Sequence, residues 1–386
     1  MAWQSGEMSS LGQHRATIAI IGAGVVGLAV AARLAEKYRG VYVLEKNESF
    51  GLETSSRNSE TIHAGIYYAK GSLKATTCVA GNALLYELCA RHGIPCLKTG
   101  KLVVATRDEE MEGLDALLAN WRENDVRGLE MISRAEVKRL EPNVEAVAAI
   151  RVPSSGIIDA HALMRFFVAR AKENGAEIAY MSNVVGIEKA SNGYLVAVED
   201  SQSSFSFQTE VLVNSAGLLS DTVAQLAGID VDRESYRLHF CKGEYFSVSS
   251  AKQNLVSSLI YPVPDPAAGG TGIHNVFDIE RRMRLGPNAR YLDEIDYTVD
   301  ASQKTSFFKA VRGFFPFIEL EDLEPEMAGI RPKLYGPGET HRDFVIRHEK
   351  DKGLPGLIDL VGIESPGLTS APAIAALIEG LVKEIL

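Results

Sequence analysis

The chain carries near its start a segment that dictates its own geometry: Thr17-Ile-Ala-Ile-Ile-Gly22-Ala23-Gly24-Val25-Val-Gly27-Leu, an apolar helical stretch, then Val41-Tyr-Val-Leu-Glu45. Ile18 to Ile21 are an apolar run suited to a buried parallel strand. Gly22 permits the tight turn out of it, Gly24 lets backbone approach a pyrophosphate, and Gly27 lets the following helix pack close to the strand. The helix begins near Val25, where its N–H groups and dipole receive phosphate charge. Glu45 ends the second strand, placed to accept a hydrogen bond from a ribose 2′-hydroxyl, and its charge would repel a 2′-phosphate. This predicts a dinucleotide site that disfavours NADP. The motif by itself does not separate FAD from NAD.

At 386 residues the chain is long enough for two domains or one large α/β fold with an insertion. A net charge of −10 argues against non-specific nucleic-acid binding, and an anionic substrate would need locally placed cations. Cys78, Cys89, Cys96 and Cys241 show neither a C-x-x-C pair nor zinc spacing, so reduced thiols and a cytoplasmic protein without a metal are expected. No apolar run reaches transmembrane length, and residues 1–16 read as a polar, flexible extension.

Periodicity predicts helices over 72–92, 109–123, 133–140 (with Ser133 as N-cap and Glu136 closing a capping box), 160–174, 220–226, 297–315 and 371–385. Strands are expected over 99–105, 177–180, 184–188, 193–199, 204–209, 211–214, 344–347 and 357–361. Between 236 and 284 the pattern becomes extended and alternating (238–248, 258–263, 271–277, 282–285), as in an antiparallel sheet. Residues 51–68 read as a long polar loop directly after the second strand, rich in donors: Thr54, Ser55, Ser56 and the planar fork of Arg57.

Three further phrases narrow the class: Ser55-Ser56-Arg57-Asn58 through His63-Ala64-Gly65; Cys241-Lys242-Gly-Glu-Tyr245 with Tyr261, Gly272-Ile-His274 and Asn288; and Ala328-Gly-Ile-Arg331 with Glu364-Ser-Pro-Gly367-Leu368-Thr369-Ser370. In these the chain resembles the FAD-dependent D-amino-acid-oxidase-like superfamily, and within it the L-2-hydroxyglutarate dehydrogenase/oxidase family, from Thr17 to the C-terminus. It departs from the family pattern at Glu60-Thr61, just before His274, over 275–284 and between Asp293 and Phe315.

The resemblance implies a mixed α/β (α+β) fold. A discontinuous Rossmann-like FAD-binding domain (17–95, 152–235 and 325–386) would carry an antiparallel-sheet substrate domain (96–151 and 236–324). FAD would be held by Gly22, Ala23, Gly24, Val25, Gly27, Glu45 and Lys46; by Thr54, Ser55, Ser56, Arg57 and Asn58; by His63, Ala64 and Gly65; by Val184, Val185, Ala216 and Gly217; and by Arg331, Gly367, Leu368, Thr369 and Ser370. The last four residues open the closing helix toward the flavin N1/O2 edge.

The implied reaction is oxidation of an L-2-hydroxy acid, foremost L-2-hydroxyglutarate, with hydride passing to flavin N5. His274 would be the general base, because a neutral imidazole suits removal of a hydroxyl proton. His63 would lie non-covalently against the flavin, the alternative being a hydrogen-bonded structural histidine. Lys242, Tyr245, Tyr261 and Arg331 would hold carboxylates; strand alternation separates Lys242 from Tyr245 unless a bulge at Gly243 intervenes. Arg281, Arg282 and Arg284 are further cations on an edge strand. An amine or amino-acid oxidase and a non-catalytic flavin-binding protein remain alternatives. The electron acceptor stays open between oxygen and quinone, as does peripheral membrane contact.

Overall fold

A computed structural model describes residues 15–124, 126, 128–200, 203–264 and 271–386. Residues 1–14 of the expected extension therefore lie outside the described residues, whereas Arg15 and Ala16 open the first strand. Strand Arg15–Ile21 runs parallel to Val41–Leu44 on one side and to the end of strand Ser204–Asn214 on the other. Glu177–Ala179, Leu357–Val361, Val345–His348, Tyr194–Glu199 and Asn183–Lys189 complete an eight-stranded sheet. The run Ile18–Ile21 is buried on both faces, as a parallel strand covered by helices must be. Helix Val25–Ala35 packs against helices Ala160–Glu173 and Gly367–Ile385.

Two expected strands, 204–209 and 211–214, are one. The first half of Ser204–Asn214 pairs antiparallel with Tyr194–Glu199, and the second half pairs parallel with Arg15–Ile21. The chain changes partner without turning, so periodicity sees a break where the backbone has none.

A second sheet holds His239–Val248 at its centre, flanked by Met283–Gly286, Arg290–Leu292 and Leu323–Lys333, with His274–Phe277 beyond. Leu323–Lys333 pairs along all of His239–Val248. The boundary expected at residue 325 thus falls inside a strand of the antiparallel sheet. The strand contains Pro325 and Pro332, and it pairs on one side only, where a missing N–H is tolerated.

The helix expected over 297–315 shrinks to Lys304–Val311, preceded by a short turn capped by the Asp300 side chain. Upstream, the Tyr297 hydroxyl donates to Glu53 and Asp296 accepts from Lys242, in a segment without helix. A third sheet joins Leu259–Pro262, Lys101–Ala105, Ala148–Val152 and Glu130–Ser133. The helix at Arg134–Leu140 has the expected capping box.

Candidate functional site

The glycine turn is built by exclusion. Gly22 has φ +101°, and a Cβ on it would lie 2.6 Å from the Ser215 carbonyl oxygen; one on Gly27 would lie 2.0 Å from the Gly22 carbonyl oxygen. Both positions accept glycine alone. Ser215 seats the turn by donating its hydroxyl to the Ile21 carbonyl at 2.8 Å, and Ala216 and Gly217 follow directly. Glu45 is buried, and its carboxylate accepts from the Ala23 N–H at 2.8 Å and the Asn47 N–H at 2.9 Å. It is fixed at the end of its strand with further acceptor lone pairs available. Ser182 donates its N–H to the Glu45 carbonyl; two residues on, Val184 is buried and Val185 is exposed.

The polar loop is more self-contained than its composition suggests. The Val25 N–H, expected to meet phosphate, donates to Ser55 Oγ at 2.9 Å. Thr54 donates to the Ile330 carbonyl, Ser56 to the Glu53 carbonyl, and the Asn58 amide to the carbonyls of Thr54 and Ser55. Lys46 pairs with Glu53 at 2.7 Å. The Arg57 guanidinium lies 4.3 Å from the centre of the Tyr297 ring, and its buried Nε has no partner.

The closing helix begins at Gly367 rather than 371. Its first N–H groups lack intrahelical acceptors. Thr369 Oγ1 accepts from the His63 N–H at 3.0 Å and donates to the Thr61 carbonyl, which ties His63 to this helix start. Ser370 accepts from Thr77 of helix Leu73–His92. A Cβ on Gly81 of that helix would lie 2.1 Å from the Thr369 carbonyl oxygen, so the two helices meet closely beneath Ala64 and Gly65.

The predicted substrate residues separate into two groups. Lys242 and Glu244 point to one face of strand His239–Val248. There the Lys242 ammonium is held by Asp296 and the Thr298 carbonyl, both at 2.8 Å. The register shift lies between Tyr245 and Phe246, not at Gly243, so Lys242 does not join Tyr245. What Gly243 provides is clearance: a Cβ there would sit 2.6 Å from Arg331 Nη2. Arg331, opposite Cys241, donates to Cys241 Sγ at 3.2 Å and to the Asn288 carbonyl at 2.7 Å. Two of its five N–H donors are used, and three remain. Tyr245 is buried, and its hydroxyl is pushed up to about 12 by desolvation, against the opposing pull of Arg331. Arg281, Arg282 and Arg284 are held by the Ser257 carbonyl, Asp278 and Glu326.

Beside Arg331 lies an aromatic box. The rings of Tyr261 and His274 stack with centroids 3.5 Å apart, and Tyr67 stacks on Tyr261 at 6.5 Å. His274 Nδ1 is 2.7 Å from the Gly272 carbonyl, so Nδ1 carries the proton and donates, leaving Nε2 as a lone-pair acceptor. Burial lowers the His274 pKa to about 3, aided by the nearby Lys101 and Arg331 charges. His63 is held neutral by desolvation and by the same lysine; its Nε2 is 3.3 Å from Ser365 Oγ, and its Nδ1 has no partner. The hydroxyls of Tyr67 and Tyr261 also make no well-formed hydrogen bond. Orphaned buried polar atoms beside a helix start whose Leu368 and Thr369 N–H groups have no acceptor among the described residues, with a glycine cradle below, fit a flat, polar-edged cofactor. Sequence reasoning missed Lys101 and Tyr67. The signal for Lys101 was a single charge opening the otherwise apolar run Lys101-Leu-Val-Val-Ala105, all of it buried.

Among the described residues no cluster has the makings of a metal site, and no helix is long and apolar enough to cross a membrane. The profile of the family described as FAD dependent oxidoreductase matches residues 17–381. The mitochondrial L-2-hydroxyglutarate dehydrogenase of Arabidopsis thaliana is 38% identical, over 96% of this chain and 84% of that protein. The L-2-hydroxyglutarate dehydrogenase of Escherichia coli K12 is 29% identical over 95% of this chain and 93% of that protein. Among solved structures, the L-alpha-glycerophosphate oxidase of Mycoplasma pneumoniae with FAD bound superposes with a TM-score of 0.85 at 26% identity, over 96% of this chain and 95% of that one. Glycine turn, buried acidic strand end, antiparallel sheet and full-length likeness agree: the chain belongs to the FAD dependent oxidoreductase family, and within it to that of the L-2-hydroxyglutarate dehydrogenases.

Proposed function

We propose that this protein oxidises L-2-hydroxyglutarate to the 2-oxo acid. The observation that carries the reading is His274. It is buried, neutral, fixed in one tautomer by Gly272, and stacked in a box with an unpaired cation beside it. Its relatives' names supply the substrate. FAD, when bound, supplies the two-electron acceptor. The pyrophosphate would lie over Gly22–Gly27 and the ribose at Glu45. The start of the closing helix would face the flavin, with His63 held against it by Thr369.

The protein's own part begins with charge. The remaining N–H donors of Arg331 grip a carboxylate, and the hydroxyls of Tyr245 and Tyr261 orient it. His274 Nε2 then takes the proton of the 2-hydroxyl. Because the imidazole is neutral at rest, it is ready to do so without first losing a proton. The apolar and aromatic walls exclude water from the reacting carbon.

The division into a dinucleotide part and a covering part belongs to the same proposal, with the late boundary moved past Lys333. So does a cytoplasmic location: the four cysteines are free thiols, as a reducing compartment requires. The Arabidopsis relative is named mitochondrial, and cell fractionation decides between the two.

The test is anaerobic bleaching of the bound flavin by L-2-hydroxyglutarate, its D enantiomer, and L-glutamate. Bleaching by the L-hydroxy acid alone is expected. Bleaching by glutamate would make the protein an amino-acid oxidase, and bleaching by none would remove the enzymatic reading.

A further inference from the structure

Lys101 opens strand Lys101–Ala105, between Leu259–Pro262 and Ala148–Val152, and is 1% exposed. Its ammonium lies 3.7 Å from the centroid of the Tyr261 ring and 5.3 Å from that of Tyr67. It has no hydrogen-bond or ion-pair partner among the described residues. The contrast with other buried lysines is plain. Lys242 has Asp296, and Lys74 has Glu364 at 2.8 Å. A buried cation without an anion is costly, and two aromatic faces offset only part of that cost.

The surroundings of Lys101 are short of acceptors and donors alike. Tyr67 Oη and His63 Nδ1 are orphaned, and Tyr261 Oη, beside Thr61, makes no well-formed hydrogen bond. The group that would satisfy an ammonium and neighbouring phenol hydroxyls together is a small oxyanion, whose two oxygens take the ammonium and a hydroxyl at once. His63 and His274 both feel the Lys101 charge, so an anion placed there would sit next to the proposed base.

We propose that Lys101 is a substrate-binding residue: its ammonium receives a carboxylate of the 2-hydroxy acid and, with Arg331 on the adjoining sheet, gives the site two cations for a dicarboxylate. This rests on the reading that the substrate is a 2-hydroxy dicarboxylate. Desolvation lowers the Lys101 pKa to about 7, so the resting site avoids the full cost of an unpaired charge, and the arriving carboxylate favours the protonated form.

The experiment uses the FAD-loaded protein and titrates 2-oxoglutarate, which carries both carboxylates and is not oxidised, reading the perturbation of the flavin absorption band. Lys101→Met should keep FAD and bind 2-oxoglutarate about 10- to 100-fold more weakly, the usual worth of a charged hydrogen bond. Its KM for L-2-hydroxyglutarate should rise more than its kcat falls. Lys101→Arg keeps a charge but moves it, and covers the case in which Met costs the fold; it should still weaken binding several-fold. An unchanged Kd in either FAD-loaded variant overturns the proposal. Failure of the underlying reading looks different: wild-type protein would neither bind 2-oxoglutarate nor be reduced by the hydroxy acid.

Discussion

The glycine turn and the aromatic box are both buried and both polar in part, yet they are finished to different degrees. At the turn the polar side chains have protein partners: Glu45 takes two backbone N–H groups, Ser55 takes Val25, and Ser215 donates to Ile21. In the box His63 Nδ1 and both tyrosine hydroxyls make no well-formed hydrogen bond, and the Lys101 ammonium meets two aromatic faces. Folding completes the side chains of the turn and leaves only its backbone N–H groups to a ligand, whereas in the box the side chains themselves await one. Changes at the turn should therefore remove the cofactor, while changes at the box should leave a yellow protein with altered chemistry.

The sharpest way to break this contrast is Gly27→Ala. A Cβ there lies 2.0 Å from the Gly22 carbonyl oxygen, so the turn must open. The purified variant should be colourless and release no FAD on denaturation. A yellow Gly27→Ala would show that the turn is not the cradle.

Next in size is Arg331→Lys. The fork that holds the Cys241 thiol and the Asn288 carbonyl is lost, but a charge remains. Loss of one charged hydrogen bond is worth roughly 1.5–3 kcal/mol, about one to two decades in kcat/KM. FAD content should hold, and steady-state kinetics on the yellow variant check this.

Lys242→Met sharpens the comparison from the other side. Lys242 lies on the face of the sheet away from the box and serves Asp296 and Thr298. Removing it should lower stability by about 1–3 kcal/mol and leave kcat/KM within about threefold. Denaturant unfolding and steady-state kinetics read the two effects. A large loss of substrate capture at full stability would return Lys242 to the site.

The smallest expected effect is one of pH. As the proposed base, His274 would act in its basic form, which is present above its pKa and lost below it. Since burial lowers that pKa to about 3, the acid limb of anaerobic flavin reduction should lie well below the ordinary histidine range. The rate should hold from neutrality down to about pH 5. A fall centred near 6.5 would mean that the base is a solvated imidazole.

The turn was legible in the sequence because its parts are local: strand, three glycines, helix and carboxylate lie within 29 residues, and each has a steric reason to be what it is. His274, Tyr261 and Arg331 were legible only through likeness to a family, since strands far apart in sequence bring them together. Lys101, the proposed substrate ligand, was not legible from the sequence. One lysine at the head of an apolar strand reads as a solvated end, and only the fold shows that Tyr67 and Tyr261 close over it. Lys242 is the opposite case. The alternation that separates it from Tyr245 was read correctly, but its acceptor, Asp296, lies in a segment that periodicity took to border a helix. Leu323–Lys333 was missed because two prolines mask an edge strand.

The central claim is that a neutral His274 is the base in the box while His63 belongs to the cofactor's side. Stopped-flow anaerobic reduction of bound FAD by L-2-hydroxyglutarate, in His274→Ala and His63→Ala, tests it most directly. His274→Ala should keep the wild-type flavin spectrum and reduce roughly 10²- to 10⁴-fold more slowly, a defect that shrinks as pH rises. His63→Ala should alter the spectrum as well as the rate. A His274→Ala protein that is reduced at the wild-type rate, beside a His63→Ala protein that is not reduced and has an unaltered spectrum, would contradict the account and make His63 the base.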